Sequence, residues 1–431
     1  MSNLLNKASI IITPTGYDTS ELLAIKPSNG DGDLDFSRAS TATRTNALQT
    51  IENVSINVPR IDYTGGVGSI LLEPQSTNLF RYSEDFSNSY WTKSNSTVSL
   101  FSEINPQGNS STYKLIENNT TSTHMLNKSF SITASVDYTL SFFVKKADYD
   151  YIQFGFGGNF GNTHSNINLT NGNVESENGQ NAKVENFGNG WYRVSATKQA
   201  SNTIGYWFVT LINSASAPRN QSYLGDGVSG TYVFGAQLEQ QSFPTSYIPT
   251  SGSSVTRLAE TLTNSGNADL FNDSEGVLYA EIGALSGSSV QSQIELGDGS
   301  DSTQIKLGWN NNRVITSIQL NTTSVLNFQY NTGSDLLEQE YYKVAIKYKS
   351  GQSSVFIDGV EVATSSTTYT NTDTISQLGF QLWWGGTPFY GKTKGVYVFN
   401  EALSDDELQQ LTGPEYNTFA ALAAASNYTI Q

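Results

Sequence analysis

The stretch Val355-Phe356-Ile357-Asp358-Gly359-Val360-Glu361-Val362 indicates the fold class most directly. An Asp-Gly pair between two apolar runs is a strong signal for a β-hairpin, because both central residues of the tight turn take a positive φ. The flanking runs are short and rich in β-branched residues, which favour strands. These eight residues therefore predict two antiparallel strands joined by a two-residue turn.

Strand patterns continue away from this hairpin in both directions. Apolar side chains recur at every second position over most of residues 138–144, 314–320 and 342–348. A period of two is typical of half-buried antiparallel strands. We interpret Trp191 and Trp207, which lie in apolar strands, as core residues. Further strands are predicted over residues 152–156, 191–196, 206–211, 231–238, 277–282, 304–309, 378–383 and 395–399.

Helix signals are concentrated near the end of the chain. Ser404 can cap a helix, Glu407 can reach back to it from three residues later, and Leu403 can pack on Leu408. The Gly-Pro pair at 413–414 then ends this helix. Because strands and turns alternate almost everywhere else, the sequence predicts an all-β protein with two tandem antiparallel β-sandwiches.

The chain divides into four segments. Residues 1–78 are polar and carry few apolar runs, so we predict an irregular segment that does not fold alone. Residues 79–250 and 256–413 each contain one set of strands, and the stretch 249–254 between them is a predicted linker. Residues 414–431 are a predicted helical tail whose narrow apolar stripe must pack on its own sandwich or on another chain.

Charge and composition exclude several classes of protein. The 431 residues carry a net charge of −16 and include no Cys. The negative charge argues against binding to nucleic acid or to anionic membranes, and the missing Cys excludes disulfides and thiol chemistry. No apolar run approaches the roughly 18 residues of a membrane span, so we expect no membrane insertion. The first residues show no apolar core of signal-peptide length, which favours synthesis in the cytoplasm.

The first part of the chain contains motifs of a known family. They are Asp-Phe-Ser-Arg-Ala-Ser-Thr-Ala-Thr-Arg at 35–44, Asn-Val-Pro-Arg-Ile-Asp-Tyr at 57–63, Leu-Leu-Glu-Pro-Gln-Ser-Thr-Asn-Leu at 71–79 and Tyr-Ser-Glu-Asp-Phe at 82–86. In this order they resemble the N-terminal module of bacteriophage and prophage tail-fibre, head-fibre and carbohydrate-binding virion proteins. The resemblance implies location in the virion, contacts with other virion proteins through residues 1–78, and assembly as a homotrimer.

The two strand-rich segments resemble known sandwich domains. Residues 188–194, 234–239 and 247–250 are similar to the corresponding motifs of a carbohydrate-binding jelly roll. The turn at 355–359 and the ending at 395–408 resemble a concanavalin A-like, laminin-G-type sandwich. The resemblance therefore implies a jelly roll followed by a concanavalin A-like domain.

A glycan site needs aromatic faces that stack on sugar C–H bonds and polar groups that bind hydroxyls. The best candidate is the pair Trp383 and Trp384, which leads through a Gly-Gly loop to Tyr390. Adjacent residues of a strand point to opposite faces, so one Trp can pack in the core while the other faces a ligand. Alternatively, both are structural. Trp309 and Asn311 form a second candidate, whose alternative is an ordinary strand that ends in a turn.

A structural calcium ion is a candidate cofactor. Jelly-roll binding modules often hold Ca²⁺ between their first and last strands, and this resemblance points to Glu84, Asp85 and Glu239. Carboxylate oxygens are ligands that Ca²⁺ prefers. The alternative is that these acids are solvated loop residues.

Catalytic constellations are not evident in the sequence. His124 and His164 have no triad pattern around them, and the Glu-x-Asp-x-x-Glu strand of retaining glucanases does not occur. Absence of these motifs favours a non-enzymatic protein, and the resemblance implies a phage fibre or receptor-binding protein that attaches the particle to host surface glycans. The alternatives are a purely structural virion part, such as a head fibre or a capsid or collar decoration, a polysaccharide-degrading enzyme, and a bacterial surface lectin. Because the net charge is negative, we expect a neutral or weakly charged glycan.

Overall fold

The computed structural model describes residues 2–285, 292–310, 313–331, 341–382 and 388–414. Residues 1–78, predicted to be irregular, contain a short helix and several strands. These elements are α1 (Ser2–Leu5), β1 (Ile10–Asp18), β2 (Glu21–Lys26), β3 (Leu34–Ser37), β4 (Ala42–Thr45), β5 (Ile51–Val54), β6 (Ile61–Asp62), β7 (Ser69–Leu72) and β8 (Ser76–Asn78).

The second segment forms a β-sandwich. Its strands are β9 (Thr92–Ser94), β10 (Ser96–Ile104), β11 (Ser110–Glu117), β12 (Thr121–Ser122), β13 (Met125–Ser131), β14 (Asp137–Lys146), β15 (Tyr151–Gly158), β16 (His164–Asn168), β17 (Val174–Asn178), β18 (Lys183–Gly188), β19 (Trp191–Gln199), β20 (Ile204–Ile212), β21 (Tyr223–Leu224) and β22 (Gly230–Glu239). Two six-stranded antiparallel sheets face each other, in the orders β10-β11-β22-β14-β19-β18 and β17-β16-β15-β20-β13-β9. We call this domain the jelly roll.

The third segment contains the remaining elements. They are β23 (Val255–Arg257), β24 (Thr261–Thr263), the 3₁₀ helix η1 (Ala268–Leu270), β25 (Glu275–Gly283), β26 (Ser292–Gly297), β27 (Gln304–Asn310), β28 (Arg313–Leu320), β29 (Thr323–Asn331), β30 (Tyr341–Lys349), β31 (Ser353–Ile357), β32 (Val360–Ser365), β33 (Gln377–Gly379), β34 (Gly391–Phe399) and α2 (Asp405–Thr412). In the described ranges, no helix is long and apolar enough to cross a membrane.

The second sandwich is built from both ends of the chain. One sheet follows the order β24-β3-β2-β1-β34-β25-β30-β31-β32, with β7 also paired to β34, and it faces the sheet β29-β28-β27-β26-β33. Strand β1 pairs directly with β34, so that Ile11 lies opposite Tyr397. The buried side chains of Ile10, Leu22 and Leu278 belong to one common core. The first segment therefore completes the sheet of the third segment, and the jelly roll is inserted between them.

The main core of the jelly roll is formed within the second segment. Its buried residues fall between Phe80 and Leu238 and come from the inner faces of both sheets. A second, smaller cluster joins Trp191 to Ile51 of the first segment. Trp191 and Trp207 are 2% and 1% exposed, which confirms the prediction that both are core residues. The chain enters and leaves the jelly roll through neighbouring strands, because β8 pairs with β23.

Local signals in the sequence are confirmed at two places. Asp358 and Gly359 have φ of 49° and 83° and join β31 to β32, as the hairpin signal predicts. Ser404 accepts a hydrogen bond from the backbone N–H of Glu407, and the Glu407 side chain accepts one from the Ser404 N–H, which completes the predicted capping box of α2. The strand predicted over residues 378–383 is shorter, because β33 ends at Gly379.

Candidate functional site

Residues from three of the motifs in the first segment meet in a buried ionic network. Arg38, Arg60 and Glu73 come from three of the motifs, and they contact Arg257 and Glu260 beyond the jelly roll. The Nη1 atom of Arg38 lies 2.7 Å from Glu260, and Nη1 of Arg60 lies 2.8 Å from Glu73. All three guanidinium side chains are at most 1% exposed. The network joins the two chain segments that connect the sandwiches.

Neighbouring groups stabilise the charged form of Glu73. Burial alone would raise the pKa of Glu73, but the charges of Arg257 and Arg60 and hydrogen bonds from Ser246 lower that pKa well below its ordinary value. The backbone N–H and the hydroxyl of Ser246 donate to Glu73 at 2.7 and 2.6 Å. These motif residues therefore have a structural role at the junction.

A cleft of about 400 Å³ opens on the jelly roll beside this junction. Aromatic side chains form part of its wall: Tyr82 and Tyr113 are half-buried, and Phe234 lies deeper. Tyr82 lies four residues after the end of β8 and forms a β-bridge with Ser251 in the returning chain. The cleft therefore lies where the chain enters and leaves the jelly roll.

The loop between β10 and β11 supplies amide groups to the cleft. The side-chain oxygen of Asn105 accepts hydrogen bonds from the backbone N–H groups of Gln107 and Asn109, at 2.9 and 3.0 Å. Gly108 has φ of 83°, a conformation that glycine adopts without strain. This compact turn holds the amide side chains of Gln107 and Asn109 along the cleft.

Two adjacent carboxylates line the cleft in different electrostatic environments. Burial raises the pKa of Glu84, and hydrogen bonds from Tyr247 and Gln107, at 2.9 and 3.0 Å, offset this only in part. Burial also acts to raise the pKa of Asp85, but hydrogen bonds from Ser87 and Tyr113 outweigh it and lower that pKa. The cleft thus combines aromatic faces, amides and carboxylates, the groups that bind the C–H faces and hydroxyls of sugars.

The three predicted calcium ligands do not form one site. Glu84 and Asp85 line the cleft, whereas Glu239 is fully buried elsewhere and accepts hydrogen bonds from Ser76 and from the backbone N–H of Thr245, at 2.7 and 3.0 Å. Within the described ranges, no group of three or more His, Asp or Glu residues could hold a metal ion. The residues present therefore do not fit the calcium site that the resemblance implies.

The predicted glycan residues of the third segment are only partly described. Trp383, Trp384 and Asn311 lie outside the described residues. Trp309, predicted as a second stacking surface, is 2% exposed and packs on Phe389 with ring centroids 5.3 Å apart, so it presents no face to a ligand.

Tyr390 is half-buried. It packs against the cluster of Leu71, Phe243 and Leu285. Burial raises the pKa of its hydroxyl. The structure therefore places Tyr390 at the edge of a small apolar cluster, and Trp309 in the core of the sandwich.

Most residues that line the cleft could not be predicted from the sequence. Tyr82 lies in a family motif, but the motif gives no sign that its ring lines a cleft. Asn105, Gln107 and Asn109 lie in the polar stretch Asn-Pro-Gln-Gly-Asn, which is a turn signal. The contact of this turn with Glu84 joins residues 23 positions apart, and no local pattern predicts it.

The fold defines a class: the chain is an all-β protein of sandwich domains, and its third segment includes a concanavalin A-like domain. Residues 283–409 match the family model described as the concanavalin A-like lectin/glucanases superfamily. No curated protein matches the chain.

Several solved structures are similar to part of the chain. One is the CBM40 of Ruminococcus gnavus IT-sialidase bound to α2,6 sialyllactose, with 19% identity, a TM-score of 0.28, and coverage of 32% of this chain and 84% of that one. Another is domain 4 of the arabinanase AbnA from Geobacillus stearothermophilus with arabinotriose, with 15% identity, a TM-score of 0.28, and coverage of 37% and 77%.

Proposed function

We propose that the protein is a non-catalytic glycan-binding protein and that the cleft of the jelly roll binds the glycan. The observation that carries this proposal is the joint lining of the cleft by Tyr82, Tyr113, Gln107, Asn109 and Glu84. Its volume of about 400 Å³ falls within the usual range of ligand pockets. The match of the third segment to a lectin and glucanase superfamily supports the same class of function.

We further propose a more specific role, as a phage fibre that attaches the virion to host surface glycans. Its support is the resemblance of the motifs between residues 35 and 86 to phage structural proteins. In this proposal the protein is a homotrimer located in the virion and contacts other virion proteins. Weak single sites then gain avidity from several copies. Sedimentation of the full chain at micromolar concentration as a monomer would contradict the trimer.

A glycan array followed by titration calorimetry tests the binding proposal. We expect the full chain to bind at least one oligosaccharide class, and Tyr82→Ala to weaken that binding about tenfold or more, which corresponds to about 1.4 kcal/mol. Asn109→Ala should weaken it less, because it removes one polar contact. Tyr151→Ala, a half-buried tyrosine on β15 that does not line the cleft, is the matched control and should bind like the wild type.

The opposite results separate the alternatives. Binding that is unchanged in Tyr82→Ala and Asn109→Ala would move the site away from this cleft. A full chain that binds no glycan on the array would favour a purely structural virion part instead.

One observation favours an enzyme as a second candidate. Glu84 has a raised pKa and Asp85 a lowered pKa in the same cleft, and a pair of carboxyl groups with divided pKa values is a pattern of glycoside hydrolases. Release of reducing ends from an array-positive oligosaccharide, lost in Glu84→Gln, would establish hydrolysis. We expect no release, because the sequence contains no catalytic constellation of a known glycoside hydrolase class.

A further inference from the structure

A cationic and aromatic patch lies beside the cleft. The ring of Tyr90 has the Cζ atom of Arg81 at 5.2 Å and the Nζ atom of Lys128 at 3.9 Å from its centroid. The Tyr82 ring, which lines the cleft, lies 5.7 Å from the Tyr90 ring. We call Arg81, Tyr90 and Lys128 the cationic patch. Tyr82 is the residue that connects this patch to the cleft.

Among the described residues, no carboxylate neutralises the two cations of the patch. Within the part of the chain that the structure describes, neither Arg81 nor Lys128 forms an ion pair. Burial and, to a smaller extent, the nearby charge of Arg81 lower the pKa of Lys128. Holding two like charges over one ring has an electrostatic cost that a bound anion would relieve.

The patch is a local exception in an acidic protein. The net charge of −16 repels anions at long range. At physiological ionic strength, however, that repulsion is screened over about 8 Å, so contacts with the nearest groups determine the binding energy of a docked anion. The expectation of a neutral ligand, which rests on net charge alone, therefore does not apply at this position.

We propose that the cationic patch is a subsite for a negatively charged substituent on the glycan, a carboxylate or a sulfate ester. This inference rests on the proposed function of the cleft. Glu84 and Asp85, which line the cleft with Tyr82, accept hydroxyl hydrogens and repel anions, so opposite charges orient the ligand. The sugar ring stacks on Tyr82, and its anionic substituent lies between Arg81 and Lys128.

Calorimetry with matched oligosaccharides tests the subsite. The probes are a tri-uronate, the neutral trisaccharide made by reducing its carboxylates, and a sulfated form of that neutral trisaccharide. We expect the full chain to bind at least one anionic probe about tenfold more tightly than the neutral one, because hydrogen bonds to charged groups are the stronger ones. The two anionic probes tell carboxylate from sulfate. The preference should also shrink at about 0.5 M salt.

Variants assign the preference to the patch. Arg81→Gln and Lys128→Gln should each remove most of it while leaving neutral binding unchanged, and Arg81→Lys should retain part of it. Lys198→Gln on the other sheet removes the same charge and is the control.

Equal affinity for neutral and anionic probes, or an anionic preference that survives in both Gln variants, would overturn the subsite and leave the proposed function intact. If the subsite is overturned in this way and Tyr82→Ala still loses all binding, the cleft would be confirmed as the glycan site without an anionic subsite. Absence of binding by the wild type to every probe would overturn the subsite, whereas only a negative glycan array would overturn the proposed function.

Discussion

At the scale of single residues, the buried ionic network is the most unusual feature of the protein. Three arginines surround Glu73 and Glu260 in a buried region. The five side chains therefore carry one more positive than negative charge. Removing charged groups from water is costly, and it is repaid only when every partner is in place. Each member of the network should therefore be intolerant of substitution.

Glu73→Gln should be strongly destabilising. It leaves Arg60 and Arg257 short of one negative charge, and breaking a buried pair in this way costs about 3–5 kcal/mol. Urea unfolding of the full chain measures the loss, and Glu361→Gln on the exposed surface of β32 is the control. A change below about 1 kcal/mol would contradict the structural role of the network.

The same residue predicts a dependence of stability on pH. Folding lowers the pKa of Glu73, so the stability due to its charge is fully present above its unfolded pKa of roughly 4.3 and is lost as pH falls below that value. We expect unfolding free energies measured from pH 7 to about pH 3 to fall more steeply in the wild type than in Glu73→Gln. Parallel curves would contradict this account.

Trp383 and Trp384 lie outside the described residues, so the prediction for them rests on the sequence alone. If one ring faces a ligand and the other packs in the core, one Ala variant should lose cell binding with little loss of stability. The other should lose a few kcal/mol of unfolding free energy. Binding and melting assays on Trp383→Ala and Trp384→Ala separate the two roles. Early melting of both variants with unchanged binding would assign both rings to the core.

At the scale of elements, predictions succeeded where the signal is local. The hairpin at Asp358-Gly359 and the capping box of α2 depend on residues at most three positions apart, so the sequence carries their whole cause. Pairing of β1 with β34 joins residues more than 380 positions apart, and no pattern within either strand specifies its partner. This is why residues 1–78 appear irregular in sequence and form strands in the structure.

Ser404→Ala tests the cap of α2. The substitution removes the hydrogen bond to the Glu407 N–H and should lower the unfolding free energy by about 1 kcal/mol. Ser404→Asp is the matched control, since an Asp side chain can also accept this bond and suits the positive end of the helix. Equal loss in both variants, measured by thermal unfolding, would mean that the loss does not come from the capping hydrogen bond.

At the scale of the whole molecule, the insertion of the jelly roll defines what can fold alone. Its main core lies within residues 80–238, and its cleft is lined only by residues from 82 to 251. The second sandwich, in contrast, needs β1 and β7 from the first segment to cover both ends of β34. The domain boundaries predicted from the sequence place β1 and β7 in a separate segment, although both strands belong to the second sandwich.

Excised domains should therefore behave differently. We expect residues 79–254 to fold cooperatively by circular dichroism and to bind the same glycan as the full chain. Residues 256–414 alone should remain unfolded or aggregate, because the buried side chains of β1, β2 and β3 are missing from their core. A stable, cooperative unfolding transition of residues 256–414 would contradict the shared sheet.

The central claim is that the jelly-roll cleft binds a glycan, and a crystal structure of the full chain with an array-selected oligosaccharide tests it most directly. We predict density for a sugar ring stacked on Tyr82, with hydroxyl groups within hydrogen-bond distance of Gln107 and Asn109. Density at the second sandwich with none in this cleft would contradict the claim.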